Sequence, residues 1–167
     1  SLQIVADDEW GSDYGVTGDD GTYTTEELTP GSYALEASLW LSSGKDRKVT
    51  RTITVKAGVN STETVTLTGV QRIHGKVTVG GKTLATGSVE VTSGTSYVTS
   101  ATIKNGAYSA IVESGKTYGA YVPPPWDGAH TYLMTYAGST VREVDAARIV
   151  VKAGADARVD IAAYAKL

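Results

Sequence analysis

Cysteine and phenylalanine are both missing from this 167-residue chain. Without Cys there is no disulfide, no thiolate metal site and no thiol nucleophile, although the compartment stays open. Without Phe, aromatic packing falls to ten Tyr and three Trp, rings with a polar handle that seeks a hydrogen-bond partner when buried. No apolar run approaches the roughly 20 residues that a membrane-spanning helix requires, and no segment reads as a signal peptide. The chain opens on Ser1 rather than Met, and the expectation is a piece excised from a longer protein. Positive charge is absent from the start: no Lys or Arg precedes Lys45. Residues 1–69 carry eleven acids against five bases, and residues 70–167 seven acids against ten bases, giving -6 and +3. The net charge of -3 argues against nucleic acid as a partner.

What is present is strand-forming. Hydrophobic residues make up 41% of the chain, Thr and Val dominate the periodic stretches, and 19 Gly punctuate them. In the segment Val49–Lys56, Val49, Arg51, Ile53 and Val55 share one parity, and Thr50, Thr52, Thr54 and Lys56 the other. That is the period-2 mark of a strand. Val65 and Leu67 are expected to continue the pattern after an Ala57-Gly58 turn. No stretch gives a convincing amphipathic helix; Ser139–Val151 comes nearest, and its β-branched end pulls it towards strand.

The pattern occurs twice. Asp20-Gly21-Thr22-Tyr23 lies over Asn105-Gly106-Ala107-Tyr108 at an offset of 85, and each first Tyr is followed ten residues later by a second, Tyr33 and Tyr118. Asp-Gly and Asn-Gly are strong hairpin-turn signals because both positions accept positive φ. The segments Ile53–Leu67 and Ile149–Ala163 share the run Val-Lys-Ala-Gly at an offset of 96, leaving about eleven extra residues in the second copy. The fold expected is therefore all-β: two tandem antiparallel β-sandwich domains, an acidic one over 1–69 and one over 70–167. The second copy has a leading strand at Arg72–Val79 whose counterpart, 85 positions earlier, falls before Ser1. The first domain is expected to lack its opening strand and to carry a compromised edge.

The run from Asp20 to Leu35, with Asp20-Gly21, Tyr23, Leu28, Pro30-Gly31, Tyr33 and Leu35, resembles the carboxypeptidase regulatory-like family. That family has a transthyretin-like, Ig-like β-sandwich related to collagen-adhesin B-type repeats. The second copy keeps the tyrosines and lacks the Pro-Gly, and the stretch from Tyr132 to Ile161 is similar to the closing half of repeats in secreted actinobacterial proteins. The resemblance implies a non-catalytic accessory, spacer or adhesion module of a secreted or cell-surface bacterial protein. Its partners would be the neighbouring domains of the parent chain and a polysaccharide or a host or cell-surface protein. A fold shared this widely transfers no catalytic residue. The related adhesin domains can form a Lys–Asn/Asp isopeptide bond. Lys76 and Asp160 occupy suitable strands, but the helper Glu is missing: Ala37 and Val122 stand where it belongs, and Glu36 is one place early, on the opposite face.

The extra residues of the second copy contain a Pro/Trp loop insertion, about 121–136, with Pro123–Pro125 followed by Trp126, Asp127, His130 and Tyr132. Three prolines make a stiff, extended loop. These four residues are the candidate ligand-binding set, since carbohydrate recognition needs flat apolar faces beside short polar groups. A carbohydrate-binding module of a secreted hydrolase is accordingly the second function considered. The competing reading makes Trp126 a lid on its own sandwich. The acidic opening, Asp7, Asp8, Glu9, Asp13, Asp19 and Asp20, lacks the spacing of a calcium loop and reads as a solvated face. Trp10 and Trp40 are expected to pack in or on the edge of the first sandwich. His74 and His130 are too few for a zinc site without Cys. No cofactor and no metal is expected, and no enzymatic activity: there is no G-x-S-x-G elbow, P-loop or dinucleotide fingerprint, and Glu26 and Glu27 fall at solvated turns.

Overall fold

Why the chain divides where it does follows from its strand pairings. A computed structural model describes residues 2–8, 11–18, 21–41, 46–125 and 131–166. It splits into two compact units, Ser1–Thr68 and Gly69–Leu167. Apart from one 3-10 turn at Glu143–Asp145, the described regular structure is all strand, and the pairing is antiparallel almost throughout.

Unit 1 contains β1 (Leu2–Asp8), β2 (Gly11–Val16), β3 (Gly31–Trp40) and β4 (Asp46–Val55), joined as one antiparallel sheet in the order β2-β1-β3-β4. Along β3, Tyr33, Leu35, Ala37 and Leu39 are buried while the residues between them are not, the alternation a one-sided sheet dictates. Trp40 has the other parity and is 73% exposed, so the expectation that it packs in or on the edge of the first sandwich is corrected to a ring that faces out. Nothing can be said of Trp10, which lies outside the described residues.

Unit 2 contains β5 (Val70–Val79), β6 (Lys82–Thr83), β7 (Thr86–Ser93), β8 (Ser96–Lys104), β9 (Ala107–Glu113) and β10 (Lys116–Val122). It continues with β11 (Thr135–Tyr136), β12 (Ile149–Val151), β13 (Ala157–Arg158) and β14 (Ile161–Ala163). The path runs β11-β10-β7-β8-β9-β5-β13, with β12 on β10 and with β14 and β6 on β5. Among the described residues only the pairings of β5 with β13 and β14 are parallel. Ile73, Val77, Val91, Ile103, Val122 and Ile161 are among the side chains that close its core. The Asn105-Gly106 turn forms as the dipeptide demands, with both residues at positive φ.

The repeat is physical as well as textual. In unit 1, Tyr33 pairs with Ile53 and Gly31 with Val55; in unit 2, Tyr118 pairs with Ile149 and Lys116 with Val151. Ala6 opposite Leu35 becomes Val91 opposite Ala120, again 85 positions on. Asp8 opposite Gly11 becomes Ser93 opposite Ser96, until a bulge at Val91/Thr92 shifts the register by one. The four strands β2-β1-β3-β4 thus correspond to β8-β7-β10-β12. Even the Val-Lys-Ala-Gly turns match: Gly58 and Gly154 both take positive φ, and the Val59 and Ala155 N–H groups donate to the Lys56 and Lys152 carbonyls.

Correspondence stops at the second layer. In unit 2, β9, β5, β13 and β14 form it. Among the described residues of unit 1 there is a single sheet, and the segments corresponding to β9 and β14, residues 22–28 and 65–67, are not strands. Val65 and Leu67 keep the expected alternation of burial without the expected strand.

Candidate functional site

Of the four residues singled out for ligand contact, Trp126, Asp127 and His130 lie outside the described residues. Tyr132 is placed, and its position corrects its assignment. It is 4% exposed, it belongs to the core of unit 2, and its hydroxyl donates to the Pro123 carbonyl at 3.1 Å. A ring so enclosed leaves no face for a sugar to stack on. Its backbone bridges to Ala165, the Leu133 N–H donates to the Tyr164 carbonyl, and the Lys166 N–H to the Thr131 carbonyl. The insertion is thereby stitched to the end of the chain.

The surface beside the insertion is aromatic and was not singled out from the sequence. Tyr121 has the opposite parity to the buried Tyr118, Ala120 and Val122, so it stands on the outer face of β10. Tyr136, its partner on β11, places its ring 5.4 Å away, tilted by 42°. On the other side Glu90 of β7 is directly opposite Tyr121 and accepts a hydrogen bond from its hydroxyl. That bond, with lesser help from burial, pushes the Tyr121 phenol up to about 12. Leu133 and Met134 are exposed close by in sequence, and the Tyr136 hydroxyl is 3.3 Å from Met134 Sδ. Two rings flanked by a carboxylate, next to a proline-stiffened loop, can accept a flat apolar face and a hydroxyl together. Parity counted from Tyr118 was the signal in the sequence that could have found Tyr121.

Several other polar side chains hold the fold together. Tyr33 donates to the Thr29 carbonyl at 2.7 Å, and Tyr118 donates to the Glu113 carbonyl at 2.9 Å. The two repeated tyrosines thus close the same kind of corner, a ring in the core and its hydroxyl tied a few residues upstream. Tyr108 reaches across to the Val159 carbonyl at 2.7 Å, and burial, followed by the Asp160 carboxylate, raises its phenol. Asp13 of the acidic opening accepts the Glu26 N–H at 2.9 Å and hydrogen-bonds the Tyr23 side chain. Asp160 accepts the Lys76 backbone N–H at 2.8 Å and pairs with Arg158, which holds its carboxyl below the usual range. The carboxylate of the candidate isopeptide pair therefore serves the backbone of β5, at the residue that would be its partner. Among the described residues no three His, Cys, Asp or Glu side chains are grouped to hold a metal ion, and no helix is long and apolar enough to cross a membrane.

No family model, no curated protein and no solved structure matches this chain.

Proposed function

We propose that the chain is a non-catalytic spacer or adhesion module, of the carboxypeptidase regulatory-like and transthyretin-like kind, from a secreted or cell-surface bacterial protein. One observation carries this reading: the same four strands recur in the same register, Tyr33 against Ile53 and Tyr118 against Ile149. Duplication of a whole sheet suits a part whose work is to set distance and display a surface. The hydroxyls of Tyr33, Tyr108 and Tyr118 support that view, because they are committed to backbone carbonyls.

A carbohydrate-binding role for unit 2 is the second reading, and the Tyr121–Tyr136 pair beside Glu90 favours it. Electrophoresis through gels containing neutral or acidic polysaccharides separates the two. The spacer reading expects equal mobility with and without polysaccharide for the wild type, Trp126→Ala and Tyr121→Ala. Retardation of the wild type that either substitution abolishes transfers the case to carbohydrate binding. Partners of other kinds, host proteins or adjoining domains, would engage the spacer without disturbing that result.

A further inference from the structure

In unit 2, β11, β10, β7 and β8 lie side by side, and the core takes up one face of that layer. Ala120, Val122, Val89, Val91 and Ala101 are buried on it. Residues of the other parity stand outward. They form a row across the strands, with Tyr136 opposite Tyr121, Tyr121 opposite Glu90 and Glu90 opposite Ser100. A second row lies two residues along, with Gly119 opposite Thr92 and Thr92 opposite Tyr97.

The second row owes its ring to an irregularity. The ladder shifts register between Val91 and Thr92, so Thr99 is opposite Val91 and Tyr97 opposite Thr92. Tyr97 and Ser100 are three residues apart, and a regular strand would send them to opposite faces. The bulge turns both outward while Val98 packs against the core, and Tyr97 is 59% exposed. By strand spacing and rise, the Tyr97 and Tyr121 Cα atoms are on the order of 12 Å apart. Between the rings the surface is low and polar. A Cβ added at Gly119 would meet the Thr92 hydroxyl oxygen at 2.9 Å, so the space above that glycine is bordered by a hydrogen-bonding group. Glu90 takes the Tyr121 hydroxyl on Oε2, which leaves Oε1 to accept another. The corresponding positions of unit 1 hold Glu36 for Tyr121, Ala34 for Gly119 and Ser12 for Tyr97, and its β1–β2 ladder runs without a register shift. The inner face repeats; the outer one does not.

The chemistry of this face selects its ligand. Its rings are tyrosines set apart by polar groups, unlike the contiguous apolar centre of a protein–protein interface. The groups between them are hydroxyls and a carboxylate, which suit a ligand covered in hydroxyls. Glu90 is the one charged residue of the two rows, and its carboxylate repels a polyanion. We infer that this outer face is the platform for a neutral polysaccharide chain, which lies across β10, β7 and β8. One sugar ring rests against Tyr121 and Tyr136 and another against Tyr97. Gly119 gives the chain its seat between them, Glu90 Oε1 accepts from its hydroxyls, and Thr92 exchanges hydrogen bonds with them. This inference rests on the carbohydrate-binding reading of unit 2 and moves its centre from the proline loop to the sheet.

Affinity electrophoresis of the whole chain tests this with hydroxyethylcellulose, soluble starch and galactomannan as neutral probes. Carboxymethylcellulose and alginate are the acidic ones. The wild type should be retarded by at least one neutral probe and by neither acidic probe. Tyr97→Ala and Tyr121→Ala should each raise the dissociation constant, read from mobility against polymer concentration, by about tenfold or more. Tyr97 is exposed, so its variant should unfold at the wild-type temperature, which separates lost binding from lost fold. Glu36→Gln, altered at the place of Tyr121 in unit 1, should bind as the wild type does. If no probe of either kind retards the wild type, the carbohydrate reading falls and the platform with it. If the wild type is retarded and Tyr97→Ala binds equally well, the reading stands and the platform is refuted. Retardation by carboxymethylcellulose that matches or exceeds that by hydroxyethylcellulose also refutes it while leaving the reading intact.

Discussion

Unit 1 and unit 2 share four strands, one register and one tyrosine corner, yet only unit 2 has a second layer of strands among the described residues. The difference shows which pairings both halves share and which unit 2 adds. The sheet β2-β1-β3-β4 joins two hairpins, β1–β2 and β3–β4, through the longer-range β1–β3 pairing, and its counterpart forms in unit 2. The second layer depends on a strand that meets β9 on one side and β13 and β14 on the other. In unit 1, residues 65–67 keep the period-2 alternation of burial without being a strand. Val65 and Leu67 in the first half and Ile161 and Ala163 in the second make the point: like parity, unlike burial.

The comparison is broken most severely by weakening β5. Ile73 is fully buried between the layers, and Ile73→Ala should cost about 2–5 kcal/mol through lost transfer energy and the cavity left behind. Urea unfolding with hydrogen exchange measures it. Exchange in β9 should accelerate towards the rate of residues 23–28, making unit 2 resemble unit 1. If β9 keeps its protection, the second layer does not hang on this strand.

A smaller effect sharpens the comparison at the repeated corner. Tyr118→Phe strands the Glu113 carbonyl of a residue only 6% exposed, and should cost about 1–3 kcal/mol. Tyr33→Phe removes the same bond from an exposed Thr29, whose carbonyl water can reach and whose hydroxyl lies 3.0 Å from the phenol. Its cost should be about 0.5–1 kcal/mol. Equal losses, read as shifts in the unfolding midpoint at constant slope, would show that both corners are sealed to the same degree.

Much of this architecture is legible in the residues, for stated reasons. Asn105-Gly106 marks its turn because two successive positive φ values suit that pair. The Tyr33/Tyr118 and Val-Lys-Ala-Gly offsets give the repeat, since a duplicated sheet must duplicate its punctuation. Size alone would bury Trp40, but parity decides: it follows the buried Leu39 directly and so faces out. The proline loop makes Tyr132 look like a binding ring, whereas its bridge to Ala165 and its place in the core show only once the fold is known. Val65 and Leu67 show the limit of periodicity, which reports the face a residue presents and not the presence of a neighbour to pair with. The Glu90–Tyr121 contact joins residues 31 apart and appears only once the β7–β10 register is known.

The mildest expected effect lies on that outer face, where the halves have diverged in chemistry. The position of Tyr121 in unit 2 is held by Glu36 in unit 1, which pairs with Lys48 of β4; its exposed ion pair is worth about 0–1 kcal/mol and is screened by salt. Tyr121 instead donates to Glu90, and the bond exists only while the phenol keeps its proton. Its folded pKa is raised to about 12, above the ordinary value of 10. The contribution to stability is therefore complete below pH about 10 and is lost as pH rises through about 12. Glu90→Gln removes the charged acceptor, so Tyr121 should ionise at lower pH, and the alkaline loss should flatten. Phenolate absorbance followed by pH titration reads the first change, and thermal unfolding between pH 9 and pH 12 reads the second. The Glu36→Gln variant, altered at the corresponding place in unit 1, should leave the tyrosine titration as it is. Identical titrations for wild type and Glu90→Gln would mean that Glu90 does not hold the phenol proton, and the two outer faces would then differ in composition alone.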